Sequence, residues 1–220
     1  MLEGQLLHLS TLALSVAAAL PAGGLNAPED VKAPFIHCVA CTVLHQLGVT
    51  LVWRLELHHG AVTRLFWGRR TVALRMASLL DSTTFGMALR AFLRVASADR
   101  YSLFEPGVGV YIFSGVLGCV AVYALGSVVF LLGPSRISGA DHFALPGTNP
   151  PPLVNGGAYR ICHHPQFYLA MLLFWAIALA CGSWCALVLA AFMHVSALGF
   201  LFGTELPDMR RIYAVGGVKA

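Results

Sequence analysis

The residues best placed to do chemistry lie in one stretch, Leu153-Val154-Asn155-Gly156-Gly157-Ala158-Tyr159-Arg160-Ile161-Cys162-His163-His164-Pro165-Gln166-Phe167-Tyr168, with a long apolar segment directly after it. Gly156-Gly157 permits a sharp bend without a Cβ penalty. Arg160 offers a fixed charge on a forked donor face, suited to a carboxylate or a phosphate. His163 and His164 titrate near neutral pH and can bind metal or haem iron. Pro165 suits the first turn of a helix, where free N–H groups favour an anion. Together these fit an anionic cofactor or a lipid head group. The plainer reading is that Arg160 and the histidines anchor a membrane span at the level of the head groups.

The elements that must position this turn are membrane helices. Of 220 residues, 58% are hydrophobic and 11% charged, with a mean hydropathy of +0.75, whereas a soluble domain carries about a quarter charged residues. The fold class expected is all-α: a polytopic membrane helix bundle of five or six spans with a C-terminal helical hairpin. Residues 1–132 supply the N-terminal membrane helices, and 133–220 the motif loop, the hairpin and a charged tail. Met1–Leu20 is a short first span or an interfacial helix, and without Lys or Arg before Lys32 it lacks the basic region of a signal peptide. Ala33–Trp53 has no charged residue and is long enough to cross. Thr71–Leu93 carries Arg75, Asp81 and Arg90, so it either spans while facing other helices or lies in the interface. Pro106–Leu132 is apolar and rich in glycine. Phe167–Gly203 holds two apolar runs broken at Gly182-Ser183.

Six spans would place 54–70, 134–166 and 204–220 on one side. That side collects Arg54, Arg64, Arg69, Arg70, Arg136, Arg160, Arg210, Arg211 and Lys219, against Lys32, Arg94 and Arg100 on the other. The positive-inside bias turns the first side, including the 134–166 loop, toward cytoplasm or matrix. The net charge of +4 is thus a topology signal, and nothing resembles a nucleic-acid surface. The six cysteines lie in or beside apolar segments, as buried thiols do.

The turn also resembles the G-x-Y-R-x-x-R-H-P-x-Y signature of a membrane methyltransferase superfamily. Its members include isoprenylcysteine carboxyl methyltransferases, phospholipid methyltransferases, NnrU, nurim and zeta-carotene isomerase. The resemblance covers about 153–213: turn, hairpin, then Glu205 and Asp208 where the methyltransferases have an acidic pair. It implies S-adenosylmethionine bound at the inner membrane face and a lipid or prenylated acceptor arriving from the bilayer. Arg160, His164 and Glu205 would be catalytic, and Tyr159, His163, His164, Pro165, Tyr168 and Glu205 would hold the cofactor.

The chain departs from the pattern in several places. His163 replaces an arginine, Ala170 replaces a glycine and would crowd a cofactor, and Glu205-Leu206-Pro207-Asp208 replaces adjacent acids. The leading expectation is therefore a fold-retaining, non-catalytic subunit of a larger membrane complex such as a respiratory assembly, in an organelle membrane (mitochondrial inner membrane or endoplasmic reticulum). The methyltransferase acting on a lipid or prenylated acceptor is the alternative. A third reading follows Gln166, which is closer to NnrU and zeta-carotene isomerase, and gives a haem protein with His164 and His45 as axial ligands. His37, Cys41 and His45 share one helix face, which otherwise reads as a polar seam between helices. No metal site is expected, since Cys38-Val-Ala-Cys41 alone lacks the further ligands that zinc needs. Membrane lipids, and in the leading reading other membrane subunits, are the expected partners.

Overall fold

Apolar runs of this length leave the backbone no hydrogen-bond partner in a bilayer other than itself, so they fold as helices. The computed structural model describes residues 2–144 and 151–214. Lys219 and the middle of the 133–152 loop lie outside the described residues. The described chain is helical, with no strand: α1 (Gln5–Ala19), α2 (Glu29–His59), α3 (Ala61–Leu65), α4 (Arg70–Ala98), α5 (Val108–Ser127), α6 (Pro134–Ile137), α7 (Pro165–Tyr168), α8 (Leu172–Cys181), α9 (Trp184–Phe200) and α10 (Leu206–Ala214). Single wide turns extend α1 to Gly24 and α5 to Leu132, and another joins α9 to α10.

Among the described residues, four stretches are long and apolar enough to cross a membrane: Gln5–Gly24, Glu29–His59, Val108–Leu132 and Trp184–Tyr213. Pro165–Cys181 is apolar but shorter. The polytopic helical bundle is as expected, and Met1–Leu20 falls on a helix of spanning length. The third expected segment is the 29-residue α4, whose charges keep it out of the apolar set although it lies along the whole of α2. Asp81 meets His45 of α2 at 3.6 Å, and Thr84 meets the same imidazole at 3.0 Å. The seam expected on α2 is therefore polar packing: His45 faces α4, and His37 Nε2 lies 3.5 Å from Cys41 Sγ.

Packing pairs α2 with α4, α1 with α9, and α5 with α8. A core of Phe35, Cys38, Phe92, Val95, Phe174, Leu189 and Met193 joins α2, α4, α8 and α9. The hairpin turn at Gly182-Ser183 is where the sequence places it. Gly182 adopts φ 57°, and a Cβ there would collide with the carbonyl oxygen of Phe104, so only glycine fits without strain. Asp99 then clamps the turn, accepting from Ser183 Oγ at 2.6 Å and from the Cys185 amide at 2.8 Å. Trp184 Nε1 donates to the Ala22 carbonyl at 2.8 Å. One end of the bundle is thus built from residues near 22, 99 and 183. The other end holds residues near 54, 70, 136–143, 160 and 205–213.

Candidate functional site

At that second end a cavity of about 710 Å³ opens between the motif turn, the 136–142 segment and the last span. The turn is fixed from below by α5. Ser127 Oγ accepts from the Ala158 amide at 3.1 Å, and a Cβ on Gly157, which has φ 54°, would stand 2.7 Å from that oxygen. Ala158 packs on Ala124 and Ala170. Ala170 therefore sits in this small-residue contact, outside the cavity lining, and does not crowd the space as expected.

Tyr159, His163, His164, Tyr168 and Glu205 all line the cavity. Pro165 is buried just behind them. Arg160 is exposed and outside the lining, so the expected cation of the turn points away. Counting from Pro165, the tyrosine of the signature falls on Phe167, whose ring stacks on Phe200 at 6.1 Å. Tyr168 is a neighbour that reaches the cavity by its own position. His45 is not in the lining, and its Nδ1 faces Thr84.

A hydrogen-bond chain crosses the site. Tyr159 OH donates to Gln166 Oε1 at 3.3 Å, and Gln166 Nε2 donates to Glu205 Oε1 at 3.2 Å. Burial, with the Glu205 charge adding to it, pushes the Tyr159 phenol up to about 12, so it stays a donor at any physiological pH. Burial, and then the charge of His163, holds the His164 imidazole below its ordinary value of 6.5, which keeps it neutral near pH 7.

The opposite wall comes from residues that show no sequence pattern. Arg136 binds Asp141 through Nε and an η nitrogen at 3.2 Å each and donates to Tyr213 OH at 2.8 Å. His142 is buried and stacked on Trp53, with centroids 4.4 Å apart. Its Nε2 lies 3.5 Å from Asp208 Oδ2 without hydrogen-bond geometry, and neither ring nitrogen has a hydrogen-bond partner among the described residues. Gly139, at φ 87°, allows this stack, since a Cβ there would strike the Trp53 indole. Asp208 is also gripped by buried Arg54, at 3.0 Å to Oδ1 and 3.3 Å to Oδ2. The two acids of the tail thus differ. Asp208 is committed to Arg54, whereas the described partner of Glu205 is the amide of Gln166.

Such a lining, with carboxylates, tyrosine rings and imidazoles in one recess, can surround a cationic centre and exclude water from it. Among the described residues no cluster of His, Cys, Asp and Glu has the arrangement of a metal site.

The chain is 28% identical over 196 residues to a phosphatidylethanolamine N-methyltransferase of Malassezia globosa, a match covering 81% of this chain and 19% of the relative. It is 30% identical over 190 residues to one of Schizosaccharomyces japonicus, covering 77% and 21%. The chain thus spans about a fifth of the length of these curated relatives. No solved structure matches. The phospholipid methyltransferase family model matches residues 106–215, half of the chain, from the start of α5 through the motif turn to the end of α10. The chain belongs to the phospholipid methyltransferase family.

Proposed function

We propose that this chain transfers methyl groups from S-adenosylmethionine to the amine of a phospholipid head group, with a phosphatidylethanolamine-type lipid as acceptor. The observation that carries this reading is the convergence of Tyr159, His163, His164, Tyr168 and Glu205 on one cavity in a chain of this family. The cavity also suits the cofactor. A volume of about 710 Å³ is of the size that holds a small molecule. Tyrosine faces and a carboxylate attract a sulfonium cation, and the unpartnered ring nitrogens of His142 offer a polar group to bind.

S-adenosylmethionine supplies an electrophilic methyl group: its carbon–sulfur bond breaks as a carbon–nitrogen bond forms, and the electron pair stays on sulfur. The acceptor ammonium must first shed a proton to free its lone pair. Glu205, which accepts a hydrogen bond from Gln166, would receive that proton. Tyr159, Tyr168 and Arg210 line the same cavity; the two tyrosines would flank the reacting centre, and the Arg210 guanidinium would meet the lipid phosphate. Holding both reactants in a dry recess contributes most to rate, because methyl transfer depends mainly on alignment. The basic residues gather at the cavity end, so we place that end on the cytoplasmic face of the endoplasmic reticulum, or on the matrix face if the membrane is mitochondrial.

The test is titration calorimetry with S-adenosylmethionine on the full chain in phosphatidylethanolamine nanodiscs, together with transfer of labelled methyl to the lipid. We expect binding and transfer, and Glu205→Gln should lower the transfer rate about a hundredfold or more. A folded chain that neither binds the cofactor nor methylates lipid would instead support the fold-retaining subunit.

A further inference from the structure

The end of the bundle opposite the cavity carries a second recess, of about 720 Å³, where the first turn of α2 lies beside the last turns of α4. Glu29 and Asp30 line it from α2, and Arg90 and Arg94 from α4. Residues four apart share a helix face, so the two guanidinium groups stand side by side. Between them and the acids the lining is apolar, including Leu89 and Leu93.

Charges of opposite sign thus flank an apolar recess, yet none pairs across it among the described residues. Glu29 is paired with Lys32 of its own helix at 3.2 Å, while the side chains of Asp30, Arg90 and Arg94 make no hydrogen bond or ion pair among the described residues. Pro34, also in the lining, has no N–H to give the Asp30 carbonyl, so a further acceptor is left at the same edge. By the path of the chain this recess lies at the membrane surface, near the Gly182-Ser183 turn. Leu93 remains 44% exposed beside it, which gives an acyl chain an apolar track into the bilayer.

We propose that this recess binds the zwitterionic head group of a phospholipid in the leaflet opposite the cavity. Arg90 and Arg94 hold the phosphate, and Glu29 and Asp30 the ammonium. A guanidinium pair matches phosphate oxygens in geometry as well as charge. The acids then make the site prefer a zwitterionic over an anionic lipid, because an anionic head group leaves them unpaired. The site does not depend on the methyltransferase reading.

The test is native mass spectrometry of the full chain after delipidation and re-addition of phosphatidylethanolamine or phosphatidylglycerol. Wild type should retain phosphatidylethanolamine preferentially. The double variant Arg90→Gln/Arg94→Gln should weaken retention of both lipids about tenfold. Glu29→Gln/Asp30→Asn should keep phosphatidylglycerol and lose the preference. Arg64→Gln, at the other end of the molecule and outside the cavity lining, should leave the preference intact. Wild-type retention in the arginine variant, with its fold checked by circular dichroism, would overturn the assignment and leave these as ordinary solvated charges. Loss of the preference in Arg64→Gln would overturn it too, by showing that surface charge far from the recess sets the preference.

Discussion

Two cavity residues of the motif turn hold their protons in opposite ways. Tyr159 keeps its proton to about pH 12 and so always donates to Gln166. His164 gives its proton up early, because burial and the nearby His163 disfavour the cation. The consequence for stability has a definite sign. Between the folded value and 6.5 the unfolded chain binds more protons at this site than the folded one, so stability falls as pH drops below 6.5 and is fully present above it. His164→Gln removes this dependence. Between about pH 7 and pH 5, the melting temperature of wild type should fall relative to that of the variant. Parallel curves would show that His164 has no depressed affinity for protons.

At the scale of elements, two buried carboxylates tie helices together. Asp99 accepts from Ser183 Oγ, Ser102 Oγ and the Cys185 amide, joining the end of α4 to the α8–α9 turn. Asp99→Ala leaves those donors unsatisfied at a site that is nearly closed, and should cost about 1–3 kcal/mol, read as earlier thermal aggregation in detergent. Asp208 and Arg54 form a pair with 3% side-chain exposure on each partner. Asp208→Leu removes the carboxylate facing a buried guanidinium and should cost about 3–5 kcal/mol, while Arg54→Met/Asp208→Leu should recover much of that loss. A double-variant loss equal to the sum of the Asp208→Leu and Arg54→Met losses would mean that the pair is not coupled. The sequence revealed these elements unequally. The hairpin was legible because two apolar runs bracket Gly182-Ser183, and Glu205 because it ends the second run. Arg136, Asp141 and His142 were not, since they sit on a short helix and a single 3-10 turn with no periodicity. Arg160 was legible as a cation but misplaced, because a four-residue 3-10 turn rotates it outward while its neighbour Tyr159 faces in.

For the whole molecule, the contacts fix which segments meet at which end of the bundle. Arg54 reaches the Glu3 carbonyl, Arg70 reaches the Phe143 carbonyl and Arg136 reaches Tyr213, which places 3, 54, 70, 136, 143 and 213 together. Trp184 reaches the Ala22 carbonyl, and the Tyr101 amide reaches the Cys181 carbonyl, which places 22, 101 and 181 together at the opposite end. Passing between these ends, the chain runs along α1, α2, α4, α5, α7–α8 and α9–α10 in alternating directions. The weakest case for a crossing by composition is α4, yet 29 residues at 1.5 Å each reach about 43 Å, more than a hydrocarbon core requires. Its buried face is mostly alanine, at 73, 77, 88, 91 and 96, which lets α2 approach closely and cover its polar groups. If α4 crosses, residues on its two sides must differ in accessibility. Single cysteines introduced at Arg69 and Asn155 in a background lacking the native cysteines should react with a membrane-impermeant maleimide from one face of sealed vesicles. Those at Asn26 and Arg100 should react only from the other. Labelling of positions 69 and 100 from the same face would show that α4 lies along the surface, and five crossings would then replace six.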